Sequence, residues 1–267
     1  MAAKINHLAI VSDQYALSGK FYEAVFGLKP PKESKLINAV TVGDGYVGMN
    51  INPRGPGRPA GLDHFGFEVE NLEATVEHMR TLYPAVRALK RPRNRAFASY
   101  TAHDTDGNIF DLSQIDLENR GEIYTSGTWE QERYCCEYAI RTMNPEKVVK
   151  FYSDVLGLEP RNKKTGDSAH YLTDGRMTLT IIPWAIQDYG GTGIIRPGPD
   201  HVGFSVESLE AFKDHLAKVT AENPHLAPRA IDLGSEYKAR LELLESSDDA
   251  VFHLGDVDGV LIGIHER

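Results

Sequence analysis

Residues 63–69 read Asp63-His64-Phe65-Gly66-Phe67-Glu68-Val69, and residues 200–206 read Asp200-His201-Val202-Gly203-Phe204-Ser205-Val206. Two further blocks recur around this pair, in the same order. Phe21-Tyr22-Glu23-Ala24-Val25-Phe26-Gly27-Leu28 returns as Phe151-Tyr152-Ser153-Asp154-Val155-Leu156-Gly157-Leu158. Asp104-Thr105-Asp106-Gly107 returns as Asp256-Val257-Asp258-Gly259. The spacing between copies grows from the first block to the last, as insertions in the second copy would make it. Self-similarity of this kind is the signature of a duplicated unit, so the sequence predicts two copies of one domain: 1–115, a connection over 116–131, and 132–267.

The composition suits such a pair. The chain has 267 residues, 41% hydrophobic and 25% charged, which supplies apolar material for buried cores. With 29 Lys+Arg against 38 Asp+Glu the formal charge is −9, which speaks against general affinity for nucleic acid or an anionic membrane. No apolar run is long enough to span a bilayer, and the opening residues lack the apolar core of a secretory signal. Cys135 and Cys136 are the only cysteines and are neighbours, poorly placed to bridge each other or to build a cysteine-rich zinc site. The expectation is a soluble, cytoplasmic protein that takes a small molecule and has the option of forming a homo-oligomer.

Local patterns give each copy the order strand, helix, three strands, twice over. In the first copy a strand over 4–11 precedes a helix over 16–26 that stops at Gly27. Strands near 36–42 and 45–52 flank the turn Gly43-Asp44-Gly45, and Pro53 to Pro59 is loop by composition. A strand over 62–69, a helix over 72–82 and strands near 85–90, 96–103 and 108–114 complete it. Successive strand residues point to opposite faces. Alternation therefore sets Phe65, Phe67 and Val69 on an apolar face and His64, Gly66 and Glu68 on the other. By the same rule Leu8 and Ile10 oppose Ile5, His7 and Ala9, while Phe110 and Leu112 oppose Ile109, Asp111 and Ser113. Three strands thus each carry one potential ligand opposite an apolar face.

The Phe-Tyr-x-x-Val-x-Gly-Leu helix ends, the Asp-His-x-Gly-Phe strands and the Asp-x-Asp-Gly turns together resemble the vicinal oxygen chelate superfamily. That group includes glyoxalase I, extradiol dioxygenases, fosfomycin-resistance proteins and bleomycin-binding proteins. The resemblance implies an α+β protein of two tandem domains, each of paired βαβββ modules forming a cupped mixed sheet with helices on the convex side. It also implies a divalent metal on the concave side, and the positions matching the family's ligands are His7, His64 and Asp111. Two imidazoles and a carboxylate form the facial set of non-haem Fe(II) oxygenases. Fe(II) is the favoured ion, and Mn(II), Zn(II) or Ni(II) also suit these donors. Asp111 stands where the family usually has Glu. In the second copy Glu137 replaces His7, His201 matches His64, and Gly263 falls where Asp111 stands. That half is expected to be metal-free, with a set of Glu137, His201 and His265 as the alternative.

The reaction is less sharply written. Met49-Asn50-Ile51-Asn52 lacks the acid that a glyoxalase I carries as its fourth ligand, and the doubled domain resembles extradiol ring-cleaving dioxygenases. Those generally have a Tyr ten residues before the carboxylate; Thr101 occupies that place and Tyr100 lies beside it. Their further His, upstream of the second ligand, is replaced by Met49 and Asn50. Tyr100 and His103 are candidate acid/base residues, since ring cleavage needs a proton carrier within hydrogen-bond reach. Arg91, Arg93 and Arg95, in the one strongly basic run, are candidates to bind a substrate carboxylate or phosphate. Trp184, Tyr189 and the glycines after them are a candidate cover over a pocket. The leading expectation is an extradiol-type dioxygenase acting on an aromatic vicinal diol. The alternatives are a glyoxalase-like lyase, isomerase or conjugating enzyme using the metal as a Lewis acid, and a non-catalytic small-molecule binding protein resembling bleomycin-resistance proteins.

Overall fold

The computed structural model describes residues 3–31, 39–92, 97–114, 131–231, 235–245 and 250–267. The connection expected over 116–131 lies, but for Gln131, outside the described residues. Chain order in the first half is β1 (Lys4–Ser12), α1 (Tyr15–Phe26), β2 (Val40–Gly43), β3 (Gly48–Pro53), β4 (Gly61–Val69), α2 (Leu72–Leu82), β5 (Ala88–Lys90), β6 (Tyr100–His103) and β7 (Ile109–Gln114). The second half repeats it with β8 (Tyr134–Thr142), α3 (Pro145–Leu156), β9 (Glu159–Pro160), β10 (His170–Thr173), β11 (Thr178–Pro183), β12 (Gly198–Val206) and α4 (Leu209–Glu222). It then adds α5 (Ser235–Glu245) before β13 (Phe252–Gly255) and β14 (Leu261–Glu266). Each half closes a mixed sheet of seven strands, ordered β2-β3-β1-β4-β7-β6-β5 and β13-β14-β12-β8-β11-β10-β9. This is the tandem α+β architecture expected. No helix among the described residues is long and apolar enough to cross a membrane.

The repeated Gly-Leu ends α1 and α3 for one reason. Gly27 and Gly157 adopt the left-handed conformation, at φ 70° and 67°, and return their N–H groups to the last turn. The apolar faces of the two sheets, with the helices, share one continuous core. Phe26 stacks on Phe204 at 3.9 Å between ring centres, and Phe65 on Tyr138 at 4.7 Å. The convex sides therefore face each other and the concave sides look outward.

Two bulges modify the alternation. Ile5 pairs with Phe67 and His7 with Gly66, so Asn6 is an extra residue in β1. A bulge flips the strand's facing from that point, and Ile5 joins Leu8 and Ile10 in the core rather than His7 in the cup, correcting the face expected for it. A second shift sets Ala9 opposite His64 but Ile10 opposite Leu62, leaving Asp63 extra in β4. Strand starts differ from the sequence expectation as well: β3 begins at Gly48 because Asp44 accepts from the N–H of Tyr46 and Val47, at 2.9 and 2.7 Å, and keeps the turn going.

The Asp-x-Asp-Gly turns do more than turn. Asp104 closes its own loop through the N–H of Asp106 and Asn108, at 2.8 and 3.0 Å, while its other oxygen accepts from the Tyr152 hydroxyl at 3.1 Å. Asp256 repeats this with Asp258 and Val260 and with Tyr22. Asp106 accepts from the N–H of Met143 and Asn144, at 2.8 and 2.9 Å, at the start of α3, and Asp258 bonds Ser12 before α1. Neither helix has a side-chain cap of its own. Each is capped from the other half.

Replacing Asp106 by Ala should lower stability by about 1–2 kcal/mol, the usual worth of a helix cap, read as a lower urea midpoint. Asp13→Ala, which removes an exposed ion pair with Arg54, should change it by no more than about 0.5 kcal/mol. Equal effects would show that the crossed cap contributes nothing.

Candidate metal centre

The three central strands of the first sheet deliver the three expected ligands to one point. His7 pairs with Gly66 and Gly66 with Asp111, so His7, Gly66 and Asp111 form a row across β1, β4 and β7, with His64 next along β4. His7 Nε2 lies 3.3 Å from His64 Nε2, His64 Nε2 3.1 Å from Asp111 Oδ2, and His7 Nε2 3.9 Å from Asp111 Oδ2. A triangle with these edges has its centre about 2.0 Å from each corner, the length of a metal–nitrogen or metal–oxygen bond to a zinc-sized ion. Gly66 keeps the hollow open: a Cβ there would sit 2.9 Å from the Phe97 ring and 3.1 Å from Asp111 Cβ.

Neighbours fix each donor. Thr101, opposite Asp111 in the ladder, donates its hydroxyl to Oδ1 at 2.5 Å and leaves Oδ2 toward the imidazoles. The Phe97 ring stacks on His7, with centres 4.4 Å apart at 13°. Asp63 Oδ2 lies 2.8 Å from His64 Nδ1, and Asp63 Oδ1 accepts from Arg58 at 2.6 Å. Burial opposes a charge on Asp63, yet His64 and Arg58 hold its carboxyl down at about 2. An ionised carboxylate only accepts, so His64 Nδ1 is the donor and its Nε2 is turned on Asp111 and His7. Burial works against a charged His64, but Asp111 and Asp63 outweigh it and raise the imidazole to about 9. Burial likewise opposes ionisation of Asp111, and His64 and His7 overcome it, lowering its carboxyl. Two imidazole nitrogens and one carboxylate oxygen at such distances suit a cation between them, which is the chemistry of a metal-ligand set. The donors present therefore fit a divalent ion.

The site opens onto a cavity of about 630 Å³ whose lining includes Asn50, Asn52, Arg58, Arg91, Phe97 and Ile109. Among the described residues, His7, His64 and Asp111 are the one group of three whose ligand atoms all lie within 4.8 Å of one another. Arg91 reaches the cavity as expected, whereas Arg93 and Arg95 lie outside the described residues. The two acid/base candidates are not brought in. Tyr100 is buried on the opposite face and donates its hydroxyl to Glu73 on α2 at 3.0 Å. His103 bonds the Asp104 carbonyl through Nδ1 at 2.8 Å and accepts the Arg87 N–H at Nε2, 3.2 Å away. Both ring nitrogens serve the backbone, and neither candidate is among the residues that line the cavity. Alternation alone misses Asp63, since it would put that side chain in the core; the Asp-His pair recurring at 200–201 was the available signal.

The model of the Glyoxalase/Bleomycin resistance protein/Dioxygenase superfamily matches residues 4–112 and 136–229. No curated protein matches the chain. Among solved structures, an Mn(II)-bound glyoxalase from Novosphingobium aromaticivorans is similar at 14% identity and a TM-score of 0.66, over 99% of this chain and 82% of that one. Homoprotocatechuate 2,3-dioxygenase from Arthrobacter globiformis is similar at 14% and 0.64, over 100% and 80%. The 2,3-dioxygenase LapB from Pseudomonas sp. KL28 is similar at 14% and 0.62, over 100% and 93%. At such identities the likeness is one of fold.

Metal-stripped protein should hold a proton on His64 up to about pH 9, against about 6.5 in an unfolded chain. The raised value means that this proton stabilises the fold fully below about pH 6.5 and that the gain is lost as pH rises toward 9. A divalent ion must displace it, so binding should release about one proton near pH 7.5 and tighten with rising pH; a pH-independent affinity across that window would contradict the assignment. Asp63→Asn should weaken metal binding about 10–100-fold, measured by competition with a chromogenic chelator.

Proposed function

The chain belongs to the Glyoxalase/Bleomycin resistance protein/Dioxygenase superfamily, and on that premise we propose that it is a metal-dependent enzyme whose first half cleaves an aromatic vicinal diol in the extradiol manner. The observation that carries this reading is the convergence of His7 Nε2, His64 Nε2 and Asp111 Oδ2 from one side, with a cavity on the other. His7, His64 and Asp111 would hold the ion, with Fe(II) the working choice. When bound, it supplies an electrophilic centre with open positions at which two adjacent oxygens chelate and dioxygen chemistry becomes accessible.

The chain's own residues prepare that centre. Asp63 keeps the proton of His64 on Nδ1 and so turns Nε2 inward. Thr101 holds Asp111 from behind, and Phe97 covers His7, which is only 1% exposed, from water. Arg91 lines the cavity and has no ion pair among the described residues, so it is suited to a carboxylate on the substrate ring, with Asn50 and Asn52 offering further polar contacts. One observation favours a second reading. With Tyr100 and His103 turned away, the described cavity lining holds no Tyr or non-ligand His to carry a proton. A Lewis-acid lyase, isomerase or conjugating reaction makes less demand on such a group than ring cleavage does.

Protein purified without oxygen should contain about one metal ion in the first site, and His64→Ala should abolish it. Oxygen uptake with catechol and with 3,4-dihydroxybenzoate then tests the reaction. Uptake with Fe(II) loaded supports ring cleavage, and its absence with every loaded ion, metal still bound, favours the Lewis-acid reading. Arg91→Gln should raise KM for the carboxylated diol about tenfold or more, the worth of one charge-assisted hydrogen bond, and leave that for catechol nearly unchanged.

A further inference from the structure

The second sheet has a concave face of its own, and its residues repeat the chemistry of the first with the strands exchanged. Glu137 on β8 occupies the place of His7, and His201 on β12 that of His64. Gly263 on β14, the counterpart of Asp111, bears no donor, but His253 on β13 pairs directly with it and projects from the same face over the gap. His265 follows two residues along β14. One carboxylate already lies between two imidazoles: Glu137 Oε2 is 2.7 Å from His265 Nε2 and 3.5 Å from His201 Nε2.

The supporting contacts match those of the first cup. The Thr180 hydroxyl bonds Glu137 Oε1 and leaves Oε2 to the imidazoles, as Thr101 does for Asp111. Asp200 lies 2.6 Å from His201 Nδ1, as Asp63 does from that of His64. Asp200 is ion-paired with both Arg141 and Arg240, so it is a carboxylate and can only accept. His201 therefore donates Nδ1–H to Asp200, and its Nε2 faces Glu137 Oε2 as His64 Nε2 faces Asp111 Oδ2. The central glycine is kept as well. A Cβ on Gly203 would lie 2.7 Å from both Glu137 Oε2 and His265 Nε2, so those groups fold over the glycine as donors fold around a small ion. The His253 and His201 rings stand edge to face, 6.5 Å apart at 87°.

We propose that Glu137, His201 and His265, with His253 as fourth donor, form a second divalent-cation site, closed and structural, suited to Zn(II). Three nitrogens and one oxygen match a tetrahedral ion of borderline softness. Closure follows from the number of protein donors, of which His201 is 0% and Glu137 3% exposed while His253 and His265 are half-buried. The four donors are not yet all within ligand distance of one another, and the ion draws His253 and His201 in. Its role is to tie β8, β12, β13 and β14 together in the half that the sequence alone marks as metal-free.

The test is a metal count on the full chain, stripped with chelator and reloaded with Zn(II). Wild type should hold two ions per chain, His7→Ala/His64→Ala one, and His253→Gln/His265→Gln one. Loaded with Co(II), the His7→Ala/His64→Ala variant should show the intense visible absorption of a four-coordinate ion and a raised thermal midpoint. One ion in wild type and none in His7→Ala/His64→Ala overturns the proposal, as does a second ion that survives His253→Gln/His265→Gln. Should that last variant fail to fold, the His7→Ala/His64→Ala count decides alone.

Discussion

Four aspartates hold this molecule together, each with one oxygen at home and one abroad. Asp104 and Asp256 close their own turns and take the hydroxyls of Tyr152 and Tyr22. Asp44 and Asp174 close the hairpins before β3 and β11 and accept the N–H groups of Cys135 and Ile5, at 2.9 and 2.6 Å. Burial pushes all four carboxyls up, Asp256 to about 6, and the several bonds to each oppose that rise. Because these contacts join convex side to convex side, the cups open away from each other. Each cup can therefore be tuned without disturbing the other.

The sites owe their geometry to a defect in regular pairing. A strict strand sends Asp63 and His64 to opposite faces; the extra residue in β4 sends both into the cup, where the first orients the second. The second copy shifts its register at the matching place, between Pro199 and Val202, with the same result for Asp200 and His201. Irregularity at the centre of a sheet is a cost in ladder hydrogen bonds, and here it places an imidazole and its orienting carboxylate side by side.

Much of this was legible in the residues. The recurring blocks announced the duplication, the Gly-Leu helix ends were read correctly, and alternation set His64 and Asp111 on the face where they meet. What escaped was whatever depends on a bulge or on contacts between elements distant in the sequence. Ile5 was misplaced because Asn6 interrupts the alternation, and Tyr100 and His103 drew attention by type although their partners, Glu73 and the Arg87 N–H, lie on elements that no local pattern connects to them. Asp106 was recognisable as a turn former. Its bonds to Met143 and Asn144 were not, since strand and turn periodicities carry no information about a helix start in another domain.

The crossed helix caps have the symmetry of an isologous contact, in which residue i of one unit meets residue j of the other and the reverse also holds. Two separate copies of one half would make the same exchange only above some concentration. A covalent tether makes it intramolecular and independent of dilution. Once joined, the two surfaces no longer need to remain self-complementary, only complementary to each other. The caps themselves have kept their likeness, since Thr142 and Ser12 bond Asp106 and Asp258 alike and the N–H groups of Asn144 and Gln14 follow them; it is the pockets, facing away from the contact, that have taken different characters.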